Sequence, residues 1–563
     1  MKKTDILLLF IAVAVLIGPG CQSGHEARSP SSGAVHREAP FSRGVNLTDY
    51  FQKKSPGQIQ FSEAMMREDL ENIKSLGCDV VRLPIKLHSM TGGAPEYKID
   101  DLFLLFLDTT LDIAEDVGIS LIIDNHTFDP AVETDPGIEK PLIKVWAQLA
   151  RRYRNRSSYI YYEILNEPHG ISSAKWGKIQ GRVIETIREY DETHTIIVGP
   201  ADWNSYRSLD KLPVYDDPNL LYTFHFYDPF IFTHQGANWT NPSLEALAGV
   251  PFPWDAGDIP DTPGKLKGTW IEGALENYKN EGTVEHVKRL IDIAAEFGRE
   301  RNEALFCGEF GVFDVNSGPG MRANWYGVVR EYLEEQRIAW TIWDYRGSFG
   351  FFRKGREDRF EYDLDIPVVE NLGLKAPAQL EPDSGPVTEG FTMYDDSLGP
   401  DIREASYSAG PSVSYYEETA PARGRFCIKW SKAARYDALR WNFAGTRDFS
   451  RLAAAGYVLE LKIKSSAADL RFDIRFLNPG RDNGIPWRMG KTIDQSVLDW
   501  DGTWQTVRIP LAELEEKGAW KDEWFEPEGA FDWKRVDCFE IVPEHQPLED
   551  RTVYFDDVRI TEP

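Results

Sequence analysis

Two glutamates of this chain stand in motifs that favour acid–base and nucleophilic chemistry. Glu167 lies in the run ILNEP, residues 164–168, and Glu309 lies in the run CGEFG, residues 307–311. Two carboxylates across a cleft can hydrolyse a glycosidic bond, because one protonates the leaving oxygen while the other stabilises or captures the oxocarbenium-like centre. About 5–5.5 Å between them suits a retaining enzyme and about 6.5–9.5 Å an inverting one. Like charges at such distances raise one pKa, so that one carboxyl stays protonated near neutrality.

These glutamates need a scaffold that brings two distant strand ends together. Short, continuously apolar runs predict buried parallel strands. The runs are Gly44–Leu47, Asp79–Pro84, Ser120–Asn125, Ile160–Asn166, Thr195–Gly199, Leu221–Phe226, Ala304–Phe310 and Ala339–Asp344. Amphipathic stretches between them predict helices. These stretches are Ser62–Leu76, Asp101–Val117, Pro141–Tyr153, Ala174–Tyr190, Val284–Phe297 and Ala323–Gln336.

Eight strands alternating with helices predict an α/β fold, a (β/α)₈ TIM barrel over residues 41–380, with a doubly wound sheet as the alternative. In a closed barrel the ends of strands four and seven face each other across the mouth, which would bring Glu167 and Glu309 together. The segment Asp228–Gly282, which follows the sixth predicted strand, predicts a long loop that forms one wall of a cleft. The segment contains His234, Trp239, Trp254 and Trp270. His234, Trp239 and Trp254, together with Trp203 before the segment, could line the cleft or stabilise a loop.

Residues 41–380 resemble glycoside hydrolase family 5. Eight positions at predicted strand ends carry the resemblance. They are Arg82 in VVRLP, His126 in IDNH, the pair Asn166-Glu167, His225 and Tyr227 in HFY, Glu309, and Trp343 in TIWD. The resemblance implies a retaining hydrolase with Glu167 as general acid/base and Glu309 as nucleophile, without cofactor or metal.

The resemblance also implies a role for each remaining residue. Asn166 would bond the sugar 2-hydroxyl, while Arg82 and Tyr227 would keep Glu309 ionised and oriented. His126 and His225 would position sugar hydroxyls and the acid/base, and Trp343 would lie under the sugar. From the residues alone, Arg82 could equally be a structural ion-pair partner, the histidines satisfied core residues, and the tryptophan part of the core.

The N-terminus predicts export. Lys2 and Lys3 precede the apolar run Ile6–Ile17, and small residues lead to Cys21. This pattern predicts a signal peptide over residues 1–21 and membrane attachment through a lipidated Cys21, as in an outer-membrane or cell-surface lipoprotein. Simple secretion and an uncleaved anchor are the alternatives. Residues 22–40, rich in Ser, Gly and His, predict a flexible tether.

The C-terminal third predicts a second domain. Residues 381–390 indicate a linker, and alternating segments beyond it predict an antiparallel β-sandwich over residues 391–563. This part resembles the jelly-roll carbohydrate-binding modules of cellulases, with a spacer role as the alternative. Six tryptophans could supply stacking surfaces: Trp487, Trp500, Trp504, Trp520, Trp524 and Trp533. A bridge between Cys427 and Cys538 stays open, whereas Cys78 and Cys307 are predicted to be buried thiols.

Charge and composition restrict the partners. The formal net charge of −27 argues against nucleic acid, whose binding needs Lys and Arg to neutralise phosphates. The hypothesis is a monomeric endo-β-1,4-glucanase that hydrolyses internal bonds of a polysaccharide, either cellulose-like or mixed-linkage β-glucan. The alternatives are a β-mannanase or xyloglucanase of the same fold, and a catalytically silent glycan-binding surface lipoprotein.

Overall fold

The chain folds into two compact units in the computed structural model. The model describes residues 36–126, 134, 136–255, 259–356, 358–380, 385–405, 412–467, 469–480 and 484–563. Of these described residues, one unit contains those up to Lys54 together with those of Arg67–Gln379, and the other contains those of Ser55–Met66 and Leu380–Pro563. The predicted signal peptide and Cys21 lie outside the described residues.

The first unit is built on a closed barrel of eight parallel strands, each paired with the next, and β8 pairs with β1. The strands are β1 (Arg43–Asn46), β2 (Val80–Ile85), β3 (Ser120–Asn125), β4 (Ile160–Glu163), β5 (Thr195–Val198), β6 (Leu220–Phe226), β7 (Ala304–Phe310) and β8 (Ala339–Ile342). The predicted TIM barrel is therefore confirmed. The fourth and eighth strands end earlier than predicted, so that Asn166, Glu167 and Trp343 lie in the loops that follow them.

Helices connect the strands as the amphipathic stretches predict. They are α1 (Glu63–Ser75), α2 (Asp101–Val117), α3 (Glu139–Tyr153), α4 (Ser173–Arg188), α5 (Ala201–Asn204), α6 (Phe230–Thr233), α7 (Trp270–Glu281), α8 (Val284–Arg301), α9 (Pro319–Glu335) and α10 (Ile366–Asn371). Helix α2 shows how local sequence sets the bounds. The Asp100 carboxylate accepts from the N–H groups of Leu102 and Phe103, and Gly118 ends the helix at φ 73°. Among the described residues, no helix combines the length and apolar character needed to cross a membrane.

The inside of the barrel changes from apolar to charged along the strands. An apolar cluster fills the interior near the strand beginnings: Phe41, Val80, Ile122, Tyr161, Ile197, Leu221, Ala304, Phe306 and Ala339. Two residues further along, β2, β3 and β4 carry Arg82, Asp124 and Glu163, each at most 1% exposed. Residues two apart on a strand share a face. These three charges therefore form a buried layer towards the carboxyl ends of the strands.

The segment predicted as one long loop, Asp228–Gly282, contains a regular helix. The prediction is wrong for α7, because Thr269 caps it by accepting from the N–H of Ile271. Ile271, Leu275 and Tyr278 then lie buried at helical spacing. The described remainder of the segment also contains α6 and a 3₁₀ turn at Gly264–Leu266.

The second unit is made of antiparallel sheets, as predicted. A seven-stranded sheet contains β9 (Phe391–Asp395), β10 (Ser397–Leu398), β12 (Ser412–Glu417), β13 (Cys427–Ser431), β15 (Val458–Lys464), β18 (Gln505–Pro510) and β23 (Thr552–Thr561). A six-stranded sheet contains β11 (Ile402–Ala405), β14 (Leu439–Arg447), β16 (Phe472–Leu477), β17 (Arg488–Ile493), β19 (Glu515–Glu516) and β22 (Val536–Val542). A separate hairpin pairs β20 (Ala519–Lys521) with β21 (Glu523–Phe525), and helix α11 spans Ser450–Ala454.

The structure decides two questions that the sequence left open in this unit. Cys427 and Cys538 are buried free thiols and form no bridge, and Cys78 and Cys307 in the first unit are also free and buried. The expectation of a stacking surface is wrong for Trp487 and Trp500, which are only 9% and 8% exposed because they pack into the module.

Candidate active site

Arg82 is the centre of the charged layer. Its Nε and Nη2 bond both oxygens of Glu163 at 2.7 and 2.8 Å, and Nη2 lies 3.1 Å from Asp124. Nη1 donates to Glu309 Oε1 at 2.8 Å, and Nη2 donates to Asn166 Oδ1 at 2.8 Å. One fully buried guanidinium therefore orients the residues expected to act on the sugar. Arg82 is thus a structural ion-pair partner, as the alternative stated, and it also bonds Glu309, as the resemblance implies.

Glu309, on β7, receives a hydrogen bond on each carboxylate oxygen. Arg82 donates to Oε1, and the hydroxyl of Tyr227, which follows β6, donates to Oε2 at 2.9 Å. Burial raises the pKa of Glu309, while the positive charge of Arg82 acts in the opposite direction. Burial also raises the pKa of Tyr227 well above its usual range, so the phenol stays a donor. Both donors favour the ionised carboxylate, the form that a nucleophile requires.

Glu167 sits directly across from Glu309. It follows β4 in a left-handed backbone conformation, φ 45°, and its Oε1 lies 2.8 Å from His225 Nδ1. Burial raises the pKa of Glu167 to about 7. One carboxylate oxygen of Glu167, one of Glu309 and a ring nitrogen of His225 all lie within 4.8 Å of one another. Two oxygens this close are nearer to the separation of about 5–5.5 Å between the carboxyl groups of a retaining pair than to the roughly 6.5–9.5 Å of an inverting pair.

His225 is a neutral group held by a residue that the sequence analysis missed. Burial lowers its pKa to about 4, so one ring nitrogen carries the single proton near neutrality. The amide nitrogen of Asn204 lies 3.3 Å from Nε2 and donates to it. Nδ1 therefore holds the proton and donates to Glu167. Gly308 leaves room for this ring, because a Cβ there would come within 3.3 Å of Nε2 and 2.7 Å of the Thr223 hydroxyl.

Asn204 ends an unusual left-handed turn in α5. Asp202, Trp203 and Asn204 have φ of 61°, 58° and 52°, a conformation that costs roughly 1–2 kcal/mol per ordinary residue. The backbone N–H of Trp203 donates to the carbonyl of Pro168 at 3.2 Å, and the indole ring stacks on the His169 ring with 4.9 Å between centroids. Asn and Asp tolerate this region best, and that is the only signal in the sequence that could have indicated the turn.

His126 and Trp343 meet on another side of the site. His126 Nδ1 lies 2.9 Å from Asp124 Oδ2, and its ring stacks on the Trp343 indole at 5.2 Å and 12°. Burial lowers the pKa of His126 to about 4 and raises that of Asp124 to about 7. Trp343 is neither buried nor fully exposed, so an indole surface remains available beside the carboxylates.

Three more buried groups belong to this network although the sequence analysis did not single them out. Glu163 and Asp124 lie inside apolar runs of the sequence. A single acidic residue in such a run indicates that it pairs with a cation in the folded interior. Asn46 ends β1, and its amide donates to the carbonyls of Gly308 and Ile342, both at 3.0 Å. Its Oδ1 accepts from Arg82 at 2.8 Å.

The weaker candidates lie mostly in aromatic packing. His234 stacks on Phe230 at 4.1 Å and meets the Tyr227 ring edge-on at 5.1 Å. Trp239 packs edge-on against Phe313. Trp254 and Trp270 are partly exposed. None of these four forms a hydrogen bond to Glu167 or Glu309 within the described residues.

Comparisons with known proteins identify the family of the chain. Residues 42–348 match the cellulase family, glycosyl hydrolase family 5. The chain belongs to this family. Within the family 5 enzyme, residues 398–562 match carbohydrate binding domain 30. The predictions of a glycoside hydrolase of the cellulase type and of a C-terminal carbohydrate-binding domain are thereby confirmed.

Relatives of the family 5 enzyme carry endoglucanase names. It is 29% identical to Endoglucanase 3 of Fibrobacter succinogenes over 338 residues, which cover 56% of this chain and 51% of that protein. It is 30% identical to Endoglucanase C of Acetivibrio thermocellus over 318 residues, which cover 54% of this chain and 91% of that protein. The alignment thus spans about half the length of the first relative. The crystal structure of endoglucanase Cel5A from Thermotoga maritima is 26% identical, with a TM-score of 0.49, and covers 59% of this chain and 96% of that one.

Proposed function

We propose that the chain is a retaining endo-β-1,4-glucanase that hydrolyses internal bonds of cellulose-like or mixed-linkage β-glucans. The observation that carries the proposal is the approach of the Glu167 and Glu309 carboxylates to within 4.8 Å. The endoglucanase relatives support the substrate class.

In the first step, protonated Glu167 gives its proton to the glycosidic oxygen as the bond to the leaving chain breaks. A Glu309 oxygen attacks the anomeric carbon and forms a covalent glycosyl ester. Arg82 and Tyr227 hold that carboxylate in its ionised, attacking orientation. The raised pKa of Glu167, about 7, keeps the proton available.

In the second step, ionised Glu167 takes a proton from water, and the resulting hydroxide attacks the anomeric carbon from the face that the leaving chain vacated. The ester bond breaks, Glu309 leaves as a carboxylate, and Glu167 is again protonated. The neutral ring of His225 donates from Nδ1 to Glu167 while it is ionised, which stabilises the state between the two steps.

The other site residues bind and orient sugar. Asn166, with its carbonyl oxygen held by Arg82, presents its amide to the sugar 2-hydroxyl. Trp343 supplies a stacking surface that His126 backs, and the aromatic ring favours the apolar face of a pyranose. The reaction balances without a cofactor or a metal, and the absence of both stays a prediction.

The remaining expectations concern location and organisation. We infer a catalytic domain over residues 41–380, a linker at 381–390 and a binding domain over 391–563. Export fits a polysaccharide substrate outside the cell. Lipid attachment at Cys21 and a monomeric state are part of the proposal, and mass spectrometry of the processed N-terminus and light scattering test them.

The test of function is hydrolysis of carboxymethyl-cellulose, barley β-glucan, xyloglucan, galactomannan and laminarin, followed by new reducing ends, with Glu309→Gln as the control. Rapid hydrolysis of the first two, abolished in the control, supports the proposal. Preference for galactomannan or xyloglucan keeps the mechanism and overturns the substrate. No hydrolysis of any polymer favours a glycan-binding protein. Proton NMR of the first product must show the β-anomer, because an initial α-anomer means inversion.

A further inference from the structure

The hairpin β20–β21 exposes two tryptophans side by side. Trp520 and Trp524 are direct cross-strand partners, so their side chains lie on the same face with Cβ atoms about 4.5–5.5 Å apart. They are 62% and 43% exposed, and they are the only tryptophans among the large exposed apolar side chains of the described residues.

The inner face of the hairpin packs through other residues. The opposite face carries Ala519, which is fully buried, and Phe525, whose ring meets that of Trp487 at 6.4 Å. Polar contacts anchor both ends of the ribbon. Lys521 Nζ donates to the carbonyl of Gly484 at 2.9 Å, and Arg488 Nε donates to the carbonyl of Gly518 at 3.2 Å. Ala519 and Phe525 therefore cover the inner face, while two large indoles lie on the exposed face, which is unusual for apolar side chains of this size.

Trp524 is also held in place. The Arg488 guanidinium lies over its ring at 4.9 Å, and its Nε1 donates to Glu526 at 2.9 Å. A ring fixed in this way loses little conformational entropy when a ligand stacks on it.

The charge around the hairpin restricts the ligand. Residues 513–528 contain seven acidic residues and two lysines. Polyanions such as nucleic acids or uronic-acid polymers would be repelled. Carboxylates beside flat apolar rings suit a neutral sugar chain, whose ring faces stack on indole and whose hydroxyls donate to the carboxylates.

The other tryptophans proposed as stacking surfaces are engaged elsewhere. Trp487 and Trp500 are buried. Trp504 is less exposed than Trp520 and Trp524. Trp533 packs on Phe476 and Phe531.

We infer that Trp520 and Trp524 form the glycan-binding platform of the C-terminal domain and that its ligand is a neutral β-glycan chain. The choice of β-glucan as first probe rests on the proposed function. The platform itself rests on the hairpin geometry and on its position inside residues 398–562, which match a carbohydrate binding domain.

The experiment uses the full chain with Glu309→Gln, so that binding is measured without hydrolysis. Trp520→Ala, Trp524→Ala and the double variant are compared with Tyr436→Ala, which removes an aromatic side chain of the same unit that is 59% exposed. Calorimetry with soluble barley β-glucan and depletion by insoluble cellulose give the affinities. We expect each single change to weaken binding about tenfold, equal to about 1.4 kcal/mol, and the control to bind like the parent. Mannan and xylan show which neutral glycan fits best, and polygalacturonate should not bind.

The inference is overturned if the double variant binds every glycan with an affinity within about twofold of that of the parent. It is also overturned if binding is unchanged and light scattering shows that the parent is a dimer and the double variant a monomer. Trp520→Ala alters the more exposed ring and keeps the test valid if Trp524→Ala fails to fold. With Glu309 intact, the double variant should hydrolyse cellotetraose at the parent rate. A parent that hydrolyses no glucan contradicts the proposed function, whereas a parent that hydrolyses glucans but binds equally well without the tryptophans contradicts only the platform.

Discussion

The Nδ1 atom of His225 lies 2.8 Å from Oε1 of Glu167. The imidazole is neutral because burial lowers its pKa to about 4, so it acts on Glu167 as a hydrogen-bond donor and not as a cation. A donor of this kind stabilises the ionised carboxylate without preventing its protonation. This suits a group that must be protonated in one step and ionised in the next.

The roles of the two glutamates can be separated by the leaving group. Glu167→Ala should lower kcat/KM on β-glucan about 10²–10⁴-fold, because the departing sugar needs a proton. On a 2,4-dinitrophenyl cellobioside, whose leaving group needs none, the first step should be nearly unaffected. Glu309→Gln should abolish turnover of both substrates. Equal losses on both substrates for Glu167→Ala would show that this residue is not the acid.

The pH profile of kcat/KM should be bell-shaped. Glu167 must hold its proton, and its pKa is raised to about 7, so activity should fall as pH rises through about 7. Glu309 must be ionised, and burial raises its pKa, so activity should fall with decreasing pH before an ordinary glutamate would protonate. In Glu167→Ala the basic limb should vanish. If kcat/KM of the parent enzyme does not change up to pH 9, Glu167 is not the group that must hold a proton.

Asn204 should act through His225. Asn204→Asp keeps a residue that tolerates the left-handed backbone, but its carboxylate would accept from Nε2–H and leave Nδ1 without a proton. We expect kcat/KM to fall about tenfold or more, and the basic limb to move to higher pH because ionised Glu167 loses a donor. Asn302→Asp makes the same change at another left-handed asparagine, φ 53°, at the end of α8. It should leave the profile unchanged, and a matching shift there would remove the argument for Asn204.

Arg82→Lys should destabilise the barrel and alter its chemistry. Lysine cannot reproduce the bonds to Glu163, Glu309 and Asn166 together, so buried carboxylates lose their partner. Urea denaturation should show a loss of up to about 3–5 kcal/mol in the free energy of unfolding, and the acid limb should move to higher pH. Arg337→Lys, at an exposed pair with Glu38, should cost less than about 1 kcal/mol. Similar losses at both positions would mean that Arg82 is an ordinary ion-pair residue.

Counting reactive thiols tests whether the buried cysteines of both units are free. Cys78, Cys307, Cys427 and Cys538 are buried and unpaired. With a thiol reagent, the native unprocessed chain, in which Cys21 carries no lipid, should show no more than one reactive group, Cys21, whereas the same chain unfolded in guanidinium without reductant should show five. Three thiols after unfolding would reveal a disulfide in the protein.

The sequence predicted the barrel because buried parallel strands are continuous apolar runs, and the bounds of β3, β7 and α2 agree to the residue. Helix α7 was missed because its surroundings are rich in Gly and Pro, and the cap at Thr269 is a single local signal. Such a cap is weak evidence until Ile271 and Leu275 have a core to pack against.

The sequence predicted which residues come together where a residue type and a strand end coincide, as for Glu167, Glu309 and Trp343, and their roles stay a prediction. Asn204 could not be predicted, because its left-handed turn depends on contacts with Pro168 and His169, which come together only in the folded barrel. Glu163 could not be assigned either. The sequence alone does not say which guanidinium faces a carboxylate inside a strand.

The burial of four groups around Arg82 has a consequence for proton balance. Asp124 and Glu167 have pKa values raised to about 7, and His126 and His225 have values lowered to about 4. For the carboxyls, the contribution to stability is present below their ordinary values and is lost as pH rises through about 7. For the imidazoles it is present above 6.5, their ordinary value, and is lost as pH falls through about 4.

At about pH 5.5 the unfolded chain would bind two protons on these groups, both on imidazoles, and the folded chain would also bind two, both on carboxyls. Folding therefore relocates protons among the four groups without net uptake or release. Because the slope of unfolding free energy against pH follows the difference in bound protons, these four groups together add almost no pH dependence to the stability of the fold near pH 5.5.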